Sequence, residues 1–163
     1  MSTLPIAPSE LIINPDGSIF HLHLLPEDLA DTVILVGDPG RVKLVASFFE
    51  EGSIRVDKSS REFRTVTGSY NGREVSVIST GIGTDNIDIV VTELDALANI
   101  YFKTRCIKPE HKRLTLLRIG TCGAVQPDIP LGSYVFSEYS IGFDGLLNWY
   151  AGCSDVVDIA MES

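Results

Sequence analysis

The chain has 163 residues, 44% of them hydrophobic and 21% charged, which predicts a single soluble globular domain with a core of its own. Its 13 basic and 22 acidic residues give a formal net charge of −9, which argues against nucleic acid or an anionic membrane as partner, because both need a basic face. The three cysteines have no metal-site spacing and predict reduced thiols, and no apolar run approaches the roughly 20 residues that span a bilayer.

Residues 1–26 are interrupted by Pro5, Pro8 and Pro15 and predict an irregular arm. The arm lacks the basic and apolar layout of a signal peptide, so a cytoplasmic protein is expected. A short apolar piece runs from Ile19 to Leu24, and Pro26 to Ala30 predicts one helical turn.

An apolar strand is predicted from Thr32 to Val36, directly before Gly37-Asp38-Pro39-Gly40-Arg41. A strand, a tight turn and an arginine opening a helix can bind an anion, because Gly37 lets the backbone approach a ligand and the helix N-terminus offers unpaired N–H groups. The planar guanidinium of Arg41 suits phosphate or carboxylate. A surface arginine in an ordinary connection explains the same residues equally well.

A helix is predicted from about Gly40 to Glu51, with its apolar residues at helical spacing: Val42, Val45, Ala46 and Phe49. A β-hairpin follows, in which Phe63–Tyr70 and Glu74–Ser79 flank Asn71-Gly72, a pair suited to a two-residue turn. The charged stretch before the hairpin includes Arg61, and its chemistry alone indicates a solvated face.

The hairpin leads into the glycine-rich segment Ser79–Asn86, in which Asp85 is predicted to cap the next helix. That helix is predicted to end near Ala98, and its core positions are Ile87, Val90, Val91, Leu94 and Leu97. The glycines resemble a dinucleotide fingerprint only weakly, because a third glycine at the required spacing is missing.

A polar, exposed loop is predicted from Asn99 to Arg113, followed by a short buried strand from Leu114 to Ile119. Arg118 lies in this apolar strand and would need a charge partner there, which an anion at the strand end could provide. The alternative is an outward-facing residue. Thr121 could offer a hydroxyl and an N–H to the same anion, and Cys122 is interpreted as a small buried thiol.

Strands that alternate with helices predict an α/β fold with a mostly parallel sheet and helices on its faces. A last strand is predicted from Ser133 to Ser140, and no repeat or linker divides the single domain of residues 1–163. Ligands bind beyond the carboxyl ends of such strands, so the loops at Gly37, Gly81 and Gly120 are predicted to converge at one edge.

Five motifs occur in one order along the chain: Phe20-His21-Leu22, Gly37-Asp38-Pro39-Gly40-Arg41, Arg61-Glu62-Phe63, Ser79-Thr80-Gly81-Ile82-Gly83 and Leu117-Arg118-Ile119-Gly120-Thr121-Cys122-Gly123-Ala124. Over roughly Ile19 to Gly145, this series resembles the N-terminal half of the uridine phosphorylases in the hexameric nucleoside phosphorylase family. The resemblance implies a three-layer αβα mixed sheet, incomplete at the C-terminus, in a homo-oligomer that is a dimer or a trimer of dimers.

The reaction that the resemblance implies is phosphorolysis of a pyrimidine nucleoside. Inorganic phosphate, the co-substrate, attacks the anomeric carbon of uridine and releases uracil and ribose 1-phosphate, with no further cofactor. Because phosphate is the nucleophile, the enzyme needs only to position it, balance its charge and stabilise an oxocarbenium-like sugar.

The resemblance also implies roles for single residues. Gly37, Arg41, Arg118 and Thr121 would bind phosphate, with Arg41 and Arg118 as the catalytic pair, and Arg61 would reach the phosphate of a neighbouring subunit. His21 would contact the ribose 5′-hydroxyl of an adjacent subunit's nucleoside, while Cys122 and Gly123 would line the sugar and base pocket. Three residues match positions that hold a monovalent cation such as potassium in some members: Glu62, Ile82 through its carbonyl, and Asn86, which stands where a serine is usual.

Three alternatives stay open. The family chain is longer and its base-recognition segment lies beyond the matched part, so a truncated chain is expected. It could be an inactive fragment that retains oligomerisation and phosphate binding. A purine nucleoside phosphorylase is the second alternative, and a dinucleotide-binding domain, which needs an acidic residue at the end of the second strand of a βαβ unit, is the third.

Overall fold

The computed structural model describes residues 4–157, and the chain falls into two compact units, Met1–Thr121 and Cys122–Ser163. All seven strands and both α-helices of the described residues lie in the first unit. The described part of the second unit contains turns and two short 3-10 helices, Leu146–Trp149 and Cys153–Asp155. The single domain predicted for residues 1–163 stays a prediction.

The first unit is built on one mixed sheet and two helices. In chain order its elements are β1 (Thr32–Val36), α1 (Pro39–Ala46), β2 (Val56–Ser60), β3 (Phe63–Tyr70), β4 (Arg73–Ser79), α2 (Thr84–Asn99), β5 (Ile100–Tyr101), β6 (Cys106–Ile107) and β7 (Thr115–Arg118). Five strands form the sheet in the order β2-β3-β4-β1-β7, and β5 pairs with β6 alone. Strand β1 runs parallel to both β4 and β7, so that Leu35 lies opposite Ile78 on one side and Arg118 on the other.

The side chains of β1 divide between two cores, because successive strand residues point to opposite faces of a sheet. Val33 and Leu35 pack with α2 and the N-terminal arm on one face. Val36 packs with Val42 and Ala46 of α1 on the other face. Helices therefore cover both faces, and the predicted three-layer α/β fold is confirmed.

The N-terminal arm contributes to the first of these cores although residues 4–25 contain no helix and only one isolated bridge, between Ile13 and Ile19. Ile19, Leu22 and Leu24 are almost completely buried there. A 3-10 turn at Pro26–Asp28 then leads into β1, in agreement with the predicted helical turn.

Helix α1 begins with Pro39 at its first position and Asp38 as its N-cap, whose side chain accepts the Gly40 N–H at 2.8 Å. It ends at Ala46, so the prediction that it reaches Glu51 is wrong. The N–H groups of Phe48 and Phe49 bond to carbonyls three residues back, which is the tighter pattern that terminates helices.

The predicted hairpin is confirmed as β3 and β4, with positive φ at both Asn71 (49°) and Gly72 (71°), as a type I′ turn requires. The predicted capping role of Asp85 is wrong. Helix α2 has Gly83 as its N-cap, and Asp85 lies in the first turn, where its charge favours the helix dipole. Val91 lies at the side of the buried stripe and is exposed, so its predicted core position is also wrong.

Three further predictions about the later segments are wrong. The segment predicted as a loop, Asn99–Arg113, contains the small hairpin of β5 and β6. Strand β7 is exposed rather than buried, because it pairs with β1 only and forms the edge of the sheet. The strand predicted at Ser133–Ser140 is absent, since nothing in residues 4–157 pairs with that segment.

The two α-helices of the described residues are 8 and 16 residues long. Neither α1 nor α2 combines the length and apolar character that crossing a bilayer requires.

Candidate functional site

Turns follow the carboxyl ends of the three parallel strands β1, β4 and β7, at Gly37, Gly81 and Gly120. They lie side by side, because the Thr80 N–H donates to the Val36 carbonyl (2.8 Å) and the Ile119 N–H donates to the Leu35 carbonyl (2.9 Å). A Cβ atom added to Gly37 would be 3.7 Å from the Gly81 carbonyl oxygen. The predicted convergence of the glycine loops at one edge of the sheet is confirmed.

The guanidinium of Arg118 lies against two of these turns. A Cβ added to Gly37 would be 3.9 Å from Arg118 Nη2, and one added to Gly120 would be only 2.9 Å from Nη1. Gly120 therefore leaves the space that the guanidinium occupies, since a side chain there would push it away. We call Gly37, Gly81, Arg118 and Gly120 the strand-end cluster.

The arginines of the predicted site lack acidic partners within residues 4–157. The guanidinium groups of Arg41, Arg61 and Arg118 form no ion pair there, whereas Arg64 pairs with Asp57 at 2.8 Å and Arg55 with Glu74 at 2.5 Å. Arg118 is exposed at the sheet edge, so solvent can satisfy its charge. The prediction that Arg118 is buried in the strand and needs a charge partner there is therefore wrong. Its side chain remains available to an anion.

The N-terminus of α1 offers fewer donors than the sequence predicts. Pro39 has no N–H, the Gly40 N–H is bound to the Asp38 carboxylate, and the Arg41 N–H is bound to the Asp38 carbonyl at 3.0 Å. The backbone donors expected for an anion are thus occupied within the chain. The Arg118 guanidinium provides donors at this edge, and Arg41 is half-buried in the first turn of α1.

His21 and Arg61 belong to a second group of residues, which we call the arm cluster: Phe20, His21, Arg61, Phe63 and Glu93. Arg61 lies over the Phe20 ring, with Cζ 5.6 Å from the ring centroid, an arrangement that favours a cation. The His21 ring contacts Phe20 edge-on at 4.7 Å. Arg61 is exposed, as its charged surroundings predict, and it also contacts the arm through Phe20, which is 41 residues away in sequence.

Glu93 holds the arm in place and is the residue that sequence reasoning missed. Its carboxylate accepts the backbone N–H groups of His21 (3.0 Å) and Leu22 (2.9 Å) and lies 2.7 Å from His21 Nδ1. One pattern could have found it. Glu93 lies on the same helical face as Val90, Leu94 and Leu97, and a carboxylate in an apolar stripe needs donors from elsewhere in the fold.

The three residues predicted for a monovalent cation surround Gly81. A Cβ on Gly81 would be 3.0 Å from Glu62 Cγ and 2.7 Å from Asn86 Nδ2. Asn86 Nδ2 donates to the Ile82 carbonyl at 3.2 Å, which uses one of the two lone pairs of that oxygen and leaves the other for a cation. No group of three or more His, Cys, Asp or Glu residues suited to a metal occurs in the described part of the chain.

The last predicted site residues fall in the sequence where the first unit ends and the second begins. Thr121 is exposed at the end of the first unit, and Cys122 and Gly123 open the second. The Cys122 thiol is exposed and free, so the prediction of a buried thiol is wrong. The described residues of its own unit form no buried core around it.

Comparison with known proteins places this geometry in a family. A family model described as the phosphorylase superfamily matches residues 31–160. The chain is 33% identical over 135 residues to the uridine phosphorylase of Thermococcus kodakarensis, which covers 83% of this chain and 43% of that protein. It is 34% identical over 120 residues to the DeoD-type purine nucleoside phosphorylase of Anoxybacillus flavithermus, which covers 74% of this chain and 45% of that one.

A solved structure shares the fold. The Trypanosoma brucei nucleoside phosphorylase, described as showing uridine phosphorylase activity, superimposes with a TM-score of 0.68 at 37% identity, over 74% of this chain and 41% of that one. The chain thus spans less than half the length of these relatives.

Proposed function

Because the chain belongs to the phosphorylase superfamily, we propose that it takes part in the phosphorolysis of a pyrimidine nucleoside, with uridine and inorganic phosphate as substrates. One observation carries this proposal: the Arg118 guanidinium, free of any acidic partner in residues 4–157, lies against glycine turns at the ends of parallel strands. The relatives named uridine phosphorylase support the choice of uridine.

In the proposed reaction an oxygen of phosphate forms a bond to the anomeric carbon of the ribose while the bond from that carbon to the base nitrogen breaks. The electron pair of that bond leaves with uracil, and ribose 1-phosphate remains. Arg118 and Arg41 hold the phosphate and balance its charge, and Gly37 lets a phosphate oxygen approach the backbone. This arrangement lowers the barrier by orientation and electrostatic stabilisation, without a nucleophilic side chain.

The remaining roles rest on the resemblance. Thr121 adds a hydroxyl to the phosphate site, and Arg61 reaches the phosphate of a neighbouring subunit in a homo-oligomer. His21 contacts the ribose 5′-hydroxyl of an adjacent subunit's nucleoside, and Cys122 and Gly123 line the sugar and base pocket. Glu62, the Ile82 carbonyl and Asn86 hold a potassium ion. The cysteines of the described residues are not joined in disulfides, which supports a cytoplasmic location.

The proposal is tested by following uracil release from uridine through ultraviolet absorbance, with and without phosphate. We expect release only with phosphate, and a loss of about a hundredfold in Arg118→Met, because a donor to the reacting group is removed. Arg64→Met is the matched control, since Arg64 is paired with Asp57. Uracil release at the same rate with and without phosphate contradicts the proposal, and so does an Arg118→Met protein as active as the control.

A purine nucleoside is the second candidate substrate, favoured by the similarity to the DeoD-type enzymes. The same assay with inosine compares the two. Phosphate binding without turnover of either nucleoside supports instead the alternative of an inactive fragment that retains phosphate binding.

A further inference from the structure

We propose that Glu93 is a positioning residue that fixes the His21 ring in one orientation and one tautomer, with the proton on Nδ1 and with Nε2 free to accept a hydrogen bond from a ligand hydroxyl. The tautomer follows from this chain's own contacts. Only the identity of the hydroxyl, that of a ribose, rests on the proposed function.

The position of the proton follows from what Glu93 can accept. An ionised carboxylate has no hydrogen to donate, so a ring nitrogen 2.7 Å from Glu93 Oε1 must carry the proton itself. The same carboxylate accepts the backbone N–H groups of His21 and Leu22. With these donors on a side chain that is 11% exposed, the ionised form of Glu93 is well satisfied.

The orientation of the ring is set by its aromatic neighbours. Phe20 contacts the His21 ring edge-on at 4.7 Å, and Phe63, which is fully buried, lies 6.5 Å away at an interplanar angle of 78°. A ring flip would have to break the Nδ1 contact to Glu93 while these rings restrict its rotation. The backbone bond from the His21 N–H to the same carboxylate fixes the base of the side chain as well.

The other ring nitrogen remains available. No residue of the described chain is hydrogen-bonded to His21 Nε2, and 27% of the side chain is exposed. His21 lines a cleft of about 210 Å³ between the arm and α2. A neutral imidazole protonated on Nδ1 can only accept at Nε2, so this position selects a group that donates, such as a sugar hydroxyl.

The tautomer can be read directly from the ¹⁵N spectrum of histidine-labelled protein at about pH 8.5, above the range in which histidine ordinarily titrates. We expect the Nδ1–H form for His21. In Glu93→Gln the amide oxygen can still accept the backbone N–H groups, while its NH₂ group can face Nδ1, so the Nε2–H form should become populated. Asp95→Asn is the matched control, because Asp95 lies on the same helix but faces His111, at 3.9 Å.

An Nε2–H signal for His21 in the unaltered protein overturns the proposal, and so does an unchanged tautomer in folded Glu93→Gln. If Glu93→Gln does not fold, the spectrum of the unaltered protein still decides the question. This measurement needs no turnover, so it stands even if the proposed function fails.

A kinetic comparison tests the ligand-facing role. With uridine we expect Glu93→Gln to lower kcat/KM by about tenfold, the effect of one hydrogen bond to the substrate. With 5′-deoxyuridine, which lacks the hydroxyl, the loss should largely disappear. Equal losses on both substrates overturn the role of Nε2 as acceptor, whereas no turnover by the unaltered protein contradicts the proposed function and leaves the tautomer result to decide.

Discussion

Arg61 adopts a backbone conformation that side chains usually avoid, with φ at 55°. It is the first residue of the two-residue turn that joins β2 to β3, where a positive φ at that position alone is the pattern of a type II′ turn and favours glycine. A left-handed residue other than glycine costs on the order of 1 kcal/mol. The guanidinium is therefore held beside Phe20 at an energetic cost, as is common at functional sites.

Arg61→Gly should keep or raise the free energy of unfolding, by up to about 1 kcal/mol, because glycine relieves the strained φ. It should also weaken phosphate binding if Arg61 contributes to the site. Urea unfolding and phosphate titration measure the two effects. Asn71→Gly is the control, since it makes the same change in the turn between β3 and β4, away from the predicted site residues. A marked loss of stability in Arg61→Gly contradicts this interpretation of the turn.

Arg55, in the segment before β2, forms hydrogen bonds to two other parts of the first unit. Arg55 donates through Nε to Glu74 on β4 and through Nη1 to the Glu27 carbonyl at 2.7 Å, and so links the sheet to the turn before β1. The hydrogen bond from Arg55 lowers the pKa of Glu74 and outweighs the opposing effect of burial. The same bond raises the pKa of Arg55.

The lowered pKa of Glu74 predicts an acid-sensitive contribution to stability. The folded-state pKa lies below that of the unfolded chain, so the stabilisation is present above the ordinary glutamate range and is lost as pH falls through the folded-state value. Arg55→Met should therefore make the free energy of unfolding depend less on pH in the acidic range. Both side chains are more than a third exposed, so solvent screening keeps the effect below about 1 kcal/mol.

Urea unfolding at a series of acidic to neutral pH values measures this slope. Arg73→Met on the same strand is the control, because Arg73 has no ion-pair partner in residues 4–157. The interpretation is wrong if Arg55→Met and Arg73→Met change the pH dependence equally.

The first unit contains both the strand-end cluster and the arm cluster, and the arm packs against the sheet and α2. The sheet brings the strand-end cluster to the carboxyl ends of β1, β4 and β7, where ligands of open α/β sheets bind. The arm packs Ile19, Leu22 and Leu24 into the core beneath α2 and carries His21 with them. An irregular segment thus contributes to both the core and the candidate site.

Leu24→Ala should lower the free energy of unfolding by about 2–5 kcal/mol, because Leu24 is completely buried and truncation leaves a cavity. Ile12→Ala is the control, since Ile12 lies on the same arm but is exposed, and a change within about 0.5 kcal/mol is expected. Chemical denaturation measures both. Similar small losses in the two variants would mean that the arm is not part of the cooperative core.

Local pattern predicted much of the site. Apolar spacing and glycine turns located β1, the hairpin and α2, and the rule that parallel strands end at one edge predicted that Gly37, Gly81 and Gly120 converge. The ordered series of motifs was enough to predict the family, because such motifs are local in sequence. The roles carried over for Arg41, Thr121 and the cation residues stay predictions.

The sequence by itself determined the α/β class, the turns and the family of this protein, since short-range spacing and turn chemistry encode them. Only the tertiary structure decided that Glu93 holds His21, which lies 72 residues away in sequence, and that Arg61 lies over Phe20. It also decided that β7 is an exposed edge and that Asp38 occupies the donors at the start of α1. Burial and hydrogen-bond partners depend on which distant segments meet, and no local pattern specifies that.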